Sequence, residues 1–248
     1  YGELTNENVY FVGDLEVAES AKLIENVQRD INIALVNELA TILPKLGVDI
    51  EDVLDAASSK WNFHRYTPGV GVGGHCIPVD PYFLIDQAQL NNSPVNLISS
   101  GRKINSNMPI YVADEVHHIL NNRAAAEENR KILIFGWSYK PEIGDARGSP
   151  SEHLAGELSR LGHEVYCWDP FVDIGEYPDW VLALDGIEDI GGFDIVILAT
   201  AHKEFLDLDW SMLIHKMRDP VVYDARRCLP LGALKETGWE VFAIGKPN

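Results

Sequence analysis

Apolar residues recur at three- and four-residue steps through the first half of the chain, which is the pattern of amphipathic helices. The predicted helices begin at Ala18, Ile50, Asp80 and Asn96. The first ends near Pro44, Asp49 caps the second, and the last continues after Pro109 to residue 121. A short strand is predicted before them at residues 9–12. From residue 18 to about residue 122 the regular structure is therefore expected to be helical.

Beyond residue 130 the pattern changes to short apolar runs that alternate with helical stretches. The predicted strands cover residues 131–136, 164–168, 194–199, 221–224 and 239–243, and the predicted helices cover 150–161 and 208–217. This alternation indicates βαβ units, and hence an α/β fold with a mostly parallel, Rossmann-like sheet that follows the helical part. Ligands bind such sheets at the carboxyl ends of the strands. The candidate ligand contacts after strands are Ser138, Tyr139, Lys140, Asp169, Thr200, His202, Arg226 and Arg227.

One face of the first predicted helix is polar, and its side chains carry hydrogen-bonding heads. These residues are Lys22, Glu25, Asn26, Arg29, Asn32 and Asn37. A solvated face is the ordinary interpretation of such a pattern. Asparagine, however, forms helices poorly and has little reason to lie within one. The asparagines therefore favour a face that makes specific contacts.

The composition limits the possible partners. The 248 residues, 46% of them hydrophobic, are enough for one large or two small domains, and the net charge is −18. Such acidity argues against a general nucleic-acid binder, although a local basic cluster could still hold an anionic ligand. The three cysteines, Cys76, Cys167 and Cys228, fit a reduced, cytoplasmic chain better than a disulfide scaffold. No apolar run approaches the length of about 18 residues typical of a membrane span.

Glycine and proline dominate residues 68–81, which read PGVGVGGHCIPVDP. A segment this constrained forms neither a regular helix nor a strand and typically holds a ligand or a side chain in place. Gly69, Gly71 and Gly74 match the G-x-G-x-x-G pattern, but a dinucleotide fingerprint requires a strand before it and a helix after it. The strand that ends at Gly136 is the proper position for one, and it lacks the glycines.

Cys76 is the candidate nucleophile, because a thiolate attacks carbonyl carbon well and backbone N–H groups or a cation can activate it. A buried structural cysteine is the ordinary alternative, and a protease-like site with His75 or a metal site is weaker. Lys22 and Asn26 lie one helical turn apart, so they could together hold a water or an oxyanion, or merely be a surface pair. Lys140 and its loop precede a helix N-terminus, where a phosphate could bind, although an ordinary loop is the alternative.

Taken together, these motifs resemble the nucleotide-sugar 6-dehydrogenases, the UDP-glucose/GDP-mannose dehydrogenase family. The similarity lies in residues 22–34, 68–81, 139–141 and 145–150, in the same order as in that family, and covers nearly the whole chain. The loop is most similar to the branch that acts on UDP-N-acetyl-D-mannosamine, since Val79 stands where enzymes for UDP-glucose usually carry lysine. UDP-glucose and UDP-N-acetylglucosamine remain alternative substrates. The resemblance implies oxidation of C6 of a UDP-sugar to a carboxylate with two NAD+ in succession.

The resemblance also implies roles for individual residues. Cys76 would trap the aldehyde as a thiohemiacetal, Lys22 and Asn26 would stabilise the oxyanion and position water, and Asp80 would assist proton transfer. Arg226 is expected near the junction of substrate and cofactor, with the adjacent Arg227 as the alternative for that position. The residues expected to contact the UDP-sugar are Lys140, Arg29, Arg65, Gly73, Gly74, Tyr139 and Arg147.

The chain departs from the family at its N-terminus. Residues 1–17 are expected to be the remnant of an NAD-binding domain, residues 18–122 the central helical dimerisation domain, and residues 123–248 the UDP-binding domain. Without the rest of the cofactor domain, this piece is expected to lack turnover and to form a homodimer through its central helices. A non-catalytic UDP-sugar-binding or dimerisation module is the alternative, and a thiol hydrolase is a more distant one.

Overall fold

The computed structural model describes residues 9–123 and 130–247. Its first part is built from four α-helices, as the apolar periodicity predicts. They are α1 (Leu15–Ile42), α2 (Ile50–Ala57), α3 (Asp80–Leu90) and α4 (Asn96–Asn121). The predicted cap of α2 is confirmed, because the Asp49 carboxylate accepts a hydrogen bond from the backbone N–H of Glu51 at 3.0 Å.

The strand predicted at residues 9–12 is wrong. These residues are exposed and have no regular structure, and α1 begins at Leu15, before the predicted start at Ala18. Within residues 9–123 and 130–247 no neighbouring strand pairs with this apolar run, and propensity alone does not form a strand. The proposed domain boundaries at residues 17 and 122 stay predictions, and most of the predicted joint over residues 121–130 lies outside the described residues.

Pro109 lies within α4 and does not end it. Proline removes the N–H that would bond to the carbonyl four residues earlier, which is that of Asn105. That carbonyl oxygen faces Gly71 of the glycine-rich loop, where an added Cβ would stand only 3.0 Å from it. The proline therefore lies where the loop packs against the helix, and both its ring and the freed carbonyl contribute to that contact.

The second part is a six-stranded sheet in the order β3-β2-β1-β4-β5-β6, and every neighbouring pair is parallel. The strands are β1 (Lys131–Phe135), β2 (Glu164–Trp168), β3 (Leu182–Ala183), β4 (Ile195–Leu198), β5 (Val221–Asp224) and β6 (Glu240–Ala243). The helices are α5 (Pro150–Arg160), α6 (Lys203–Leu206), α7 (Trp210–Leu213) and α8 (Leu231–Glu236). The α/β class is thus confirmed, while β3, α6 and α8 were not predicted.

The sheet is covered on both faces, and alternate residues of β1 serve the two sides. Ile132 and Ile134 join a core with α4 and α5, so this core continues from the sheet into the helical part. Leu133 and Phe135 point the other way, into a core that includes Phe205 of α6 and Trp210 of α7. Continuous apolar runs are expected for strands buried on both faces.

The strand order reverses between β1 and β4, and the crevice outside such a reversal is where open α/β sheets bind ligands. The loop that follows β1 lies at this crevice, and it packs against the glycine-rich loop of the helical part. Among the described residues, no helix combines the length and apolar character that a membrane crossing requires.

Candidate active site

The glycine-rich loop between α2 and α3 contacts both α1 and the loop after β1, and the second of these contacts requires glycine. The Asn37 side chain accepts the backbone N–H of Gly69 at 2.9 Å, which fixes the start of the loop to α1. A Cβ at Gly73 would stand 2.6 Å from the Cβ of Tyr139, 2.7 Å from Pro150 and 2.8 Å from a backbone oxygen. The loop therefore touches the loop after β1 directly, backbone against side chain.

Cys76 lies at the end of this loop, where the chain turns into α3. Its carbonyl accepts hydrogen bonds from the backbone N–H groups of Val79 and Asp80 at 3.1 and 2.8 Å, and the residue is exposed. Asp80 opens α3, and its carboxylate accepts a 2.6 Å hydrogen bond from the buried side-chain amide of Asn26 on α1. This hydrogen bond joins α1 to α3, and its acceptor Asp80 follows Cys76 by four residues in the chain.

A cavity of about 830 Å3 lies between the two parts of the molecule, and nearly all of the predicted site residues line it. These are Cys76, Lys22, Asn26, Arg29, Arg65, Gly73, Gly74, Tyr139, Lys140, Arg147 and Arg226. Asp80 does not line it and reaches it through Asn26. A cavity of this size is within the range of small-molecule sites.

The cavity is positively charged although the chain is strongly acidic. Its cations are Lys22, Arg29, Arg65, Lys140, Arg147 and Arg226, and its carboxylate is Asp145. Carboxylates outside the lining pair with three of the cations, since Glu25 pairs with Lys22 and Arg29, and Glu51 pairs with Arg65. Arg147 pairs with Asp145 through two hydrogen bonds, which lower the pKa of that carboxyl to about 2. Lys140 and Arg226 have no ion-pair partner within residues 9–123 and 130–247. Uncompensated cations in a cleft favour an anionic ligand.

The structure shows which of the two adjacent arginines, Arg226 or Arg227, enters the cavity, a choice that the sequence left open. Arg226 lines the cavity, and its guanidinium fills the space that a Cβ of Gly69 would take. Burial lowers the pKa of Arg226, so a bound anion would replace solvation that this guanidinium has lost. Arg227 turns away from the cavity and donates to Asp49 at 2.7 Å. Of the two, only Arg226 is placed to contact a ligand there.

Three residues predicted as ligand contacts after strands have another role. Asp169 accepts the backbone N–H groups of Trp137 and Ser138 at 2.7 and 2.8 Å, and Thr200 donates to the Ser138 carbonyl at 2.6 Å. His202 is fully buried and lies 3.0 Å from the Asp169 carboxylate. The prediction that these side chains contact ligand is therefore corrected: they hold the loop that carries Tyr139 and Lys140.

The hydrogen bonds of His202 define its tautomer and exclude a hydrolytic triad. The backbone N–H of Glu142 donates to Nδ1 at 3.0 Å, so the ring proton lies on Nε2. Both Ser138 and Asp169 contact that same Nε2, at 2.9 and 3.0 Å, whereas a triad places serine and aspartate on opposite nitrogens. Although burial opposes it, the hydrogen bonds from His202 and from the backbone of Ser138 and Phe171 keep the pKa of Asp169 below its usual value.

Sequence reasoning missed the buried polar network that supports the glycine-rich loop. Asn37 donates to Asn105 at 2.9 Å, Asn105 donates to the Asp30 carboxylate at 2.8 Å, and Arg102 forms an ion pair with the same carboxylate. Asp30 and Asn105 are at most 1% exposed. The signal was present in part, since the asparagines of α1 indicated specific contacts, but their partners on α4 lie about seventy positions away along the chain.

Two family models match the chain. Residues 16–107 match the central domain of the UDP-glucose/GDP-mannose dehydrogenase family, and residues 133–230 match its UDP binding domain. A UDP-N-acetyl-D-glucosamine 6-dehydrogenase of Pseudomonas aeruginosa is 37% identical over 92% of this chain and 54% of its own length. A UDP-N-acetyl-D-mannosamine dehydrogenase of Methanococcus maripaludis is 36% identical over 96% of this chain and 54% of its own.

A solved structure of a UDP-D-ManNAc dehydrogenase from Pyrococcus horikoshii superposes on the chain with a TM-score of 0.79. The two are 31% identical, over 92% of this chain and 52% of that one. The chain spans about half the length of the relatives that it matches. The likeness therefore extends over both the helical part and the parallel sheet.

Proposed function

This chain belongs to the UDP-glucose/GDP-mannose dehydrogenase family and carries its central and UDP-binding domains, and from this premise we propose that it supplies the nucleophile and the UDP-sugar site of an NAD-dependent 6-dehydrogenase. The observation that carries the proposal is the cavity: it brings the Cys76 loop of one domain against Lys140 and Arg226 of the other, and it is rich in cations. The UDP-binding cations and the reactive thiol thus face one space.

The diphosphate is the part of the substrate that this cavity suits best. Lys140 lies in the loop after β1, beside the point where the strand order reverses, and Arg226 follows β5. Neither cation is paired with a carboxylate within the described residues, and Arg226 is partly buried, so a bound anion would gain most from these two cations. Arg29 and Arg65 complete the cationic wall on the helical side, together with Lys22.

The chemistry of the thiol explains why one site can carry out two oxidations. A C6 aldehyde has a C–H bond but no hydroxyl whose loss of a proton could drive a second hydride off C6. Attack by the Cys76 Sγ on C6, with protonation of the oxygen, gives a thiohemiacetal that has such a hydroxyl. Loss of hydride from C6 and of the hydroxyl proton leaves a thioester on Cys76. Water then adds at C6, the C–S bond breaks, and the products are the carboxylate and the free thiolate.

The polar residues around Cys76 would supply the proton and charge chemistry. In our proposal the ammonium of Lys22 and the amide of Asn26 stabilise the oxyanion and position the hydrolytic water. The Asp80 carboxylate, which is bonded to that amide, assists the proton transfers. Asn26 is buried at 3% exposure, so its orientation is set before substrate binds.

The sheet of this chain does not fit NAD+. At the turn after β1, where a dinucleotide fold would present backbone N–H groups to a pyrophosphate, those of Trp137 and Ser138 are already bonded to Asp169. NAD+ supplies the acceptor for hydride in each oxidation, and Arg226 is the candidate contact to it from this chain. The proposed enzyme must hold the cofactor mainly through other residues.

The substrate we propose is UDP-N-acetyl-D-mannosamine, which the sequence of the cysteine loop favours and which relatives at 36% and 31% identity are named for. UDP-N-acetyl-D-glucosamine is the alternative, supported by the relative at 37% identity. The product would be a nucleotide-linked uronic acid, the class of precursor used in polysaccharide synthesis. The three free thiols support a reducing, cytoplasmic location.

The proposal is tested on the 248-residue chain by calorimetry and by thiol labelling. UDP-N-acetyl-D-mannosamine should bind more tightly than UDP-glucose, and it should slow the alkylation of Cys76 by iodoacetamide. The other two thiols serve as internal controls, because neither lines the cavity: Cys167 is buried, and Cys228 is exposed outside the lining. Failure of every UDP-sugar to bind or to protect Cys76 would contradict the proposed site. Preference for UDP-glucose would contradict the substrate, and hydrolytic activity without NAD+ would favour a thiol hydrolase.

We also propose that the chain forms a homodimer through its helical part, as the family resemblance implies. The helices expose large apolar side chains along their length, namely Ile24, Leu35 and Ile42 of α1, Phe83 and Leu90 of α3, and Leu97 and Ile110 of α4. Burying such side chains stabilises association. Sedimentation equilibrium should give twice the mass of 27.7 kDa, and Leu35→Glu should shift it toward the monomer, whereas a monomeric parent chain would contradict the dimer.

A further inference from the structure

Arg226 and Arg227 are consecutive, yet their side chains leave the loop after β5 in different directions. Arg227 has a φ of 55°, in the left-handed region that arginine seldom adopts. The loop on either side of it is fixed by Asp224, a fully buried residue whose carboxylate accepts the N–H groups of Arg226, Cys228 and Leu229 at 2.8–2.9 Å. The turn is therefore held in a conformation that costs free energy at Arg227 itself.

An anchor on the helical part holds Arg227 in that conformation. Its side chain is 5% exposed, and it donates to Asp49 at 2.7 Å. Its Nε also lies 3.9 Å from Glu51. Asp49 at the same time caps α2 and lies 3.5 Å from Lys246. The loop after β5 is thus tied to the start of α2 across the two parts of the molecule.

The acidic residues of α2 also hold a second arginine of the cavity, Arg65. Glu51 forms an ion pair with Arg65, and Asp55 accepts a hydrogen bond from the same arginine at 2.6 Å. Arg65 lines the cavity, as Arg226 does. Helix α2 and its cap therefore contact Arg65 directly, and they contact Arg227, which is the neighbour of Arg226 in the chain.

We propose that Arg227 is a positioning residue for the UDP-sugar site, which acts by directing Arg226 into the cavity. This inference rests on the proposed function. The pair with Asp49 stabilises the left-handed turn, and the turn places the Arg226 guanidinium against Gly69 with its charge toward the bound diphosphate. Without the pair, Arg226 regains solvation by moving toward water, so the site loses a cation that was held in place before the ligand arrives.

The test is a double-mutant cycle on UDP binding by the 248-residue chain. Arg227→Gly keeps a residue that adopts positive φ readily but removes the anchor, and Arg226→Ala removes the cation itself. Arg227→Gly should weaken UDP binding about tenfold, in the same direction as Arg226→Ala. The double variant should bind UDP no more weakly than Arg226→Ala alone, because Arg227 acts through Arg226. Arg227→Lys, which can still pair with Asp49, should restore part of the affinity.

A second variant removes the anchor from the other side of the pair. Asp49→Asn keeps a good helix cap for α2 and removes the charge that holds Arg227, so it should weaken UDP binding at a temperature where circular dichroism shows the variant to be folded. Wild-type affinity in both Arg227→Gly and Asp49→Asn, or full additivity in the double variant, would overturn the proposal and leave the proposed function standing. Absence of UDP binding by the unaltered chain would remove both.

Discussion

Cys76→Ser is expected to stop formation of the uronate by the NAD-dependent enzyme that we propose, with kcat reduced roughly a thousandfold or more, on the scale seen when a catalytic nucleophile is removed. Serine keeps the size of the side chain and the shape of the cavity. Its hydroxyl is almost fully protonated near neutral pH, so it cannot trap the aldehyde as the thiolate does. Uronate should be measured by mass spectrometry after incubation with UDP-N-acetyl-D-mannosamine and NAD+.

The same variant should keep its affinity for UDP, because the diphosphate contacts we propose lie on Lys140 and Arg226 and not on the thiol. Cys228→Ser is the matched control. Like Cys76, Cys228 is exposed. It lies close to Arg226 in sequence, but it does not line the cavity. Its variant should form uronate at the normal rate. Normal uronate formation by Cys76→Ser would remove Cys76 from the mechanism, and loss of UDP binding would instead indicate a structural role.

The sequence predicted those elements whose signal is local and long. The five longer strands have four or five residues each, and three or four consecutive residues in each of them are apolar. Such short apolar runs between helical stretches are typical of the buried strands of an α/β fold. Strand β3, with two residues, is defined by its pairing with Tyr166 and Cys167 and leaves no pattern in the chain. The strand predicted at residues 9–12 fails for the opposite reason, because it has propensity without a partner.

The site shows the same division between local and long-range information. The composition of residues 68–81 identified the cysteine loop, and the family motifs identified the residues that the structure brings to one cavity. Which of two adjacent arginines enters that cavity depends on the φ angle at Arg227, and hence on Asp49, which is 178 positions away. The inward direction of Asp169 and His202 likewise depends on backbone donors of another loop, so their position after strands misled the prediction.

Arg102→Met is expected to destabilise the chain by about 3–5 kcal/mol at neutral pH, the usual cost of removing one partner of a buried ion pair. Asp30 is fully buried, and its carboxylate is held by Arg102 and by the amide of Asn105. Its second oxygen, Oδ2, has no hydrogen-bond partner among the described residues. Without the guanidinium a nearly bare charge would remain between α1 and α4. Urea unfolding, followed by tryptophan fluorescence, measures the loss.

The pH dependence of that loss identifies its cause. Burial already raises the pKa of Asp30, and loss of Arg102 must raise it further, so the folded variant binds a proton that the unfolded chain releases. Stability then falls as pH rises through the ordinary carboxyl range, and the deficit against the parent chain should shrink as the pH is lowered toward 4. Asp30→Asn combined with Arg102→Met, which leaves no charge, should recover most of the stability at pH 7. A deficit that is equal at both pH values and persists in the double variant would mean that lost packing, and not the stranded carboxylate, is responsible.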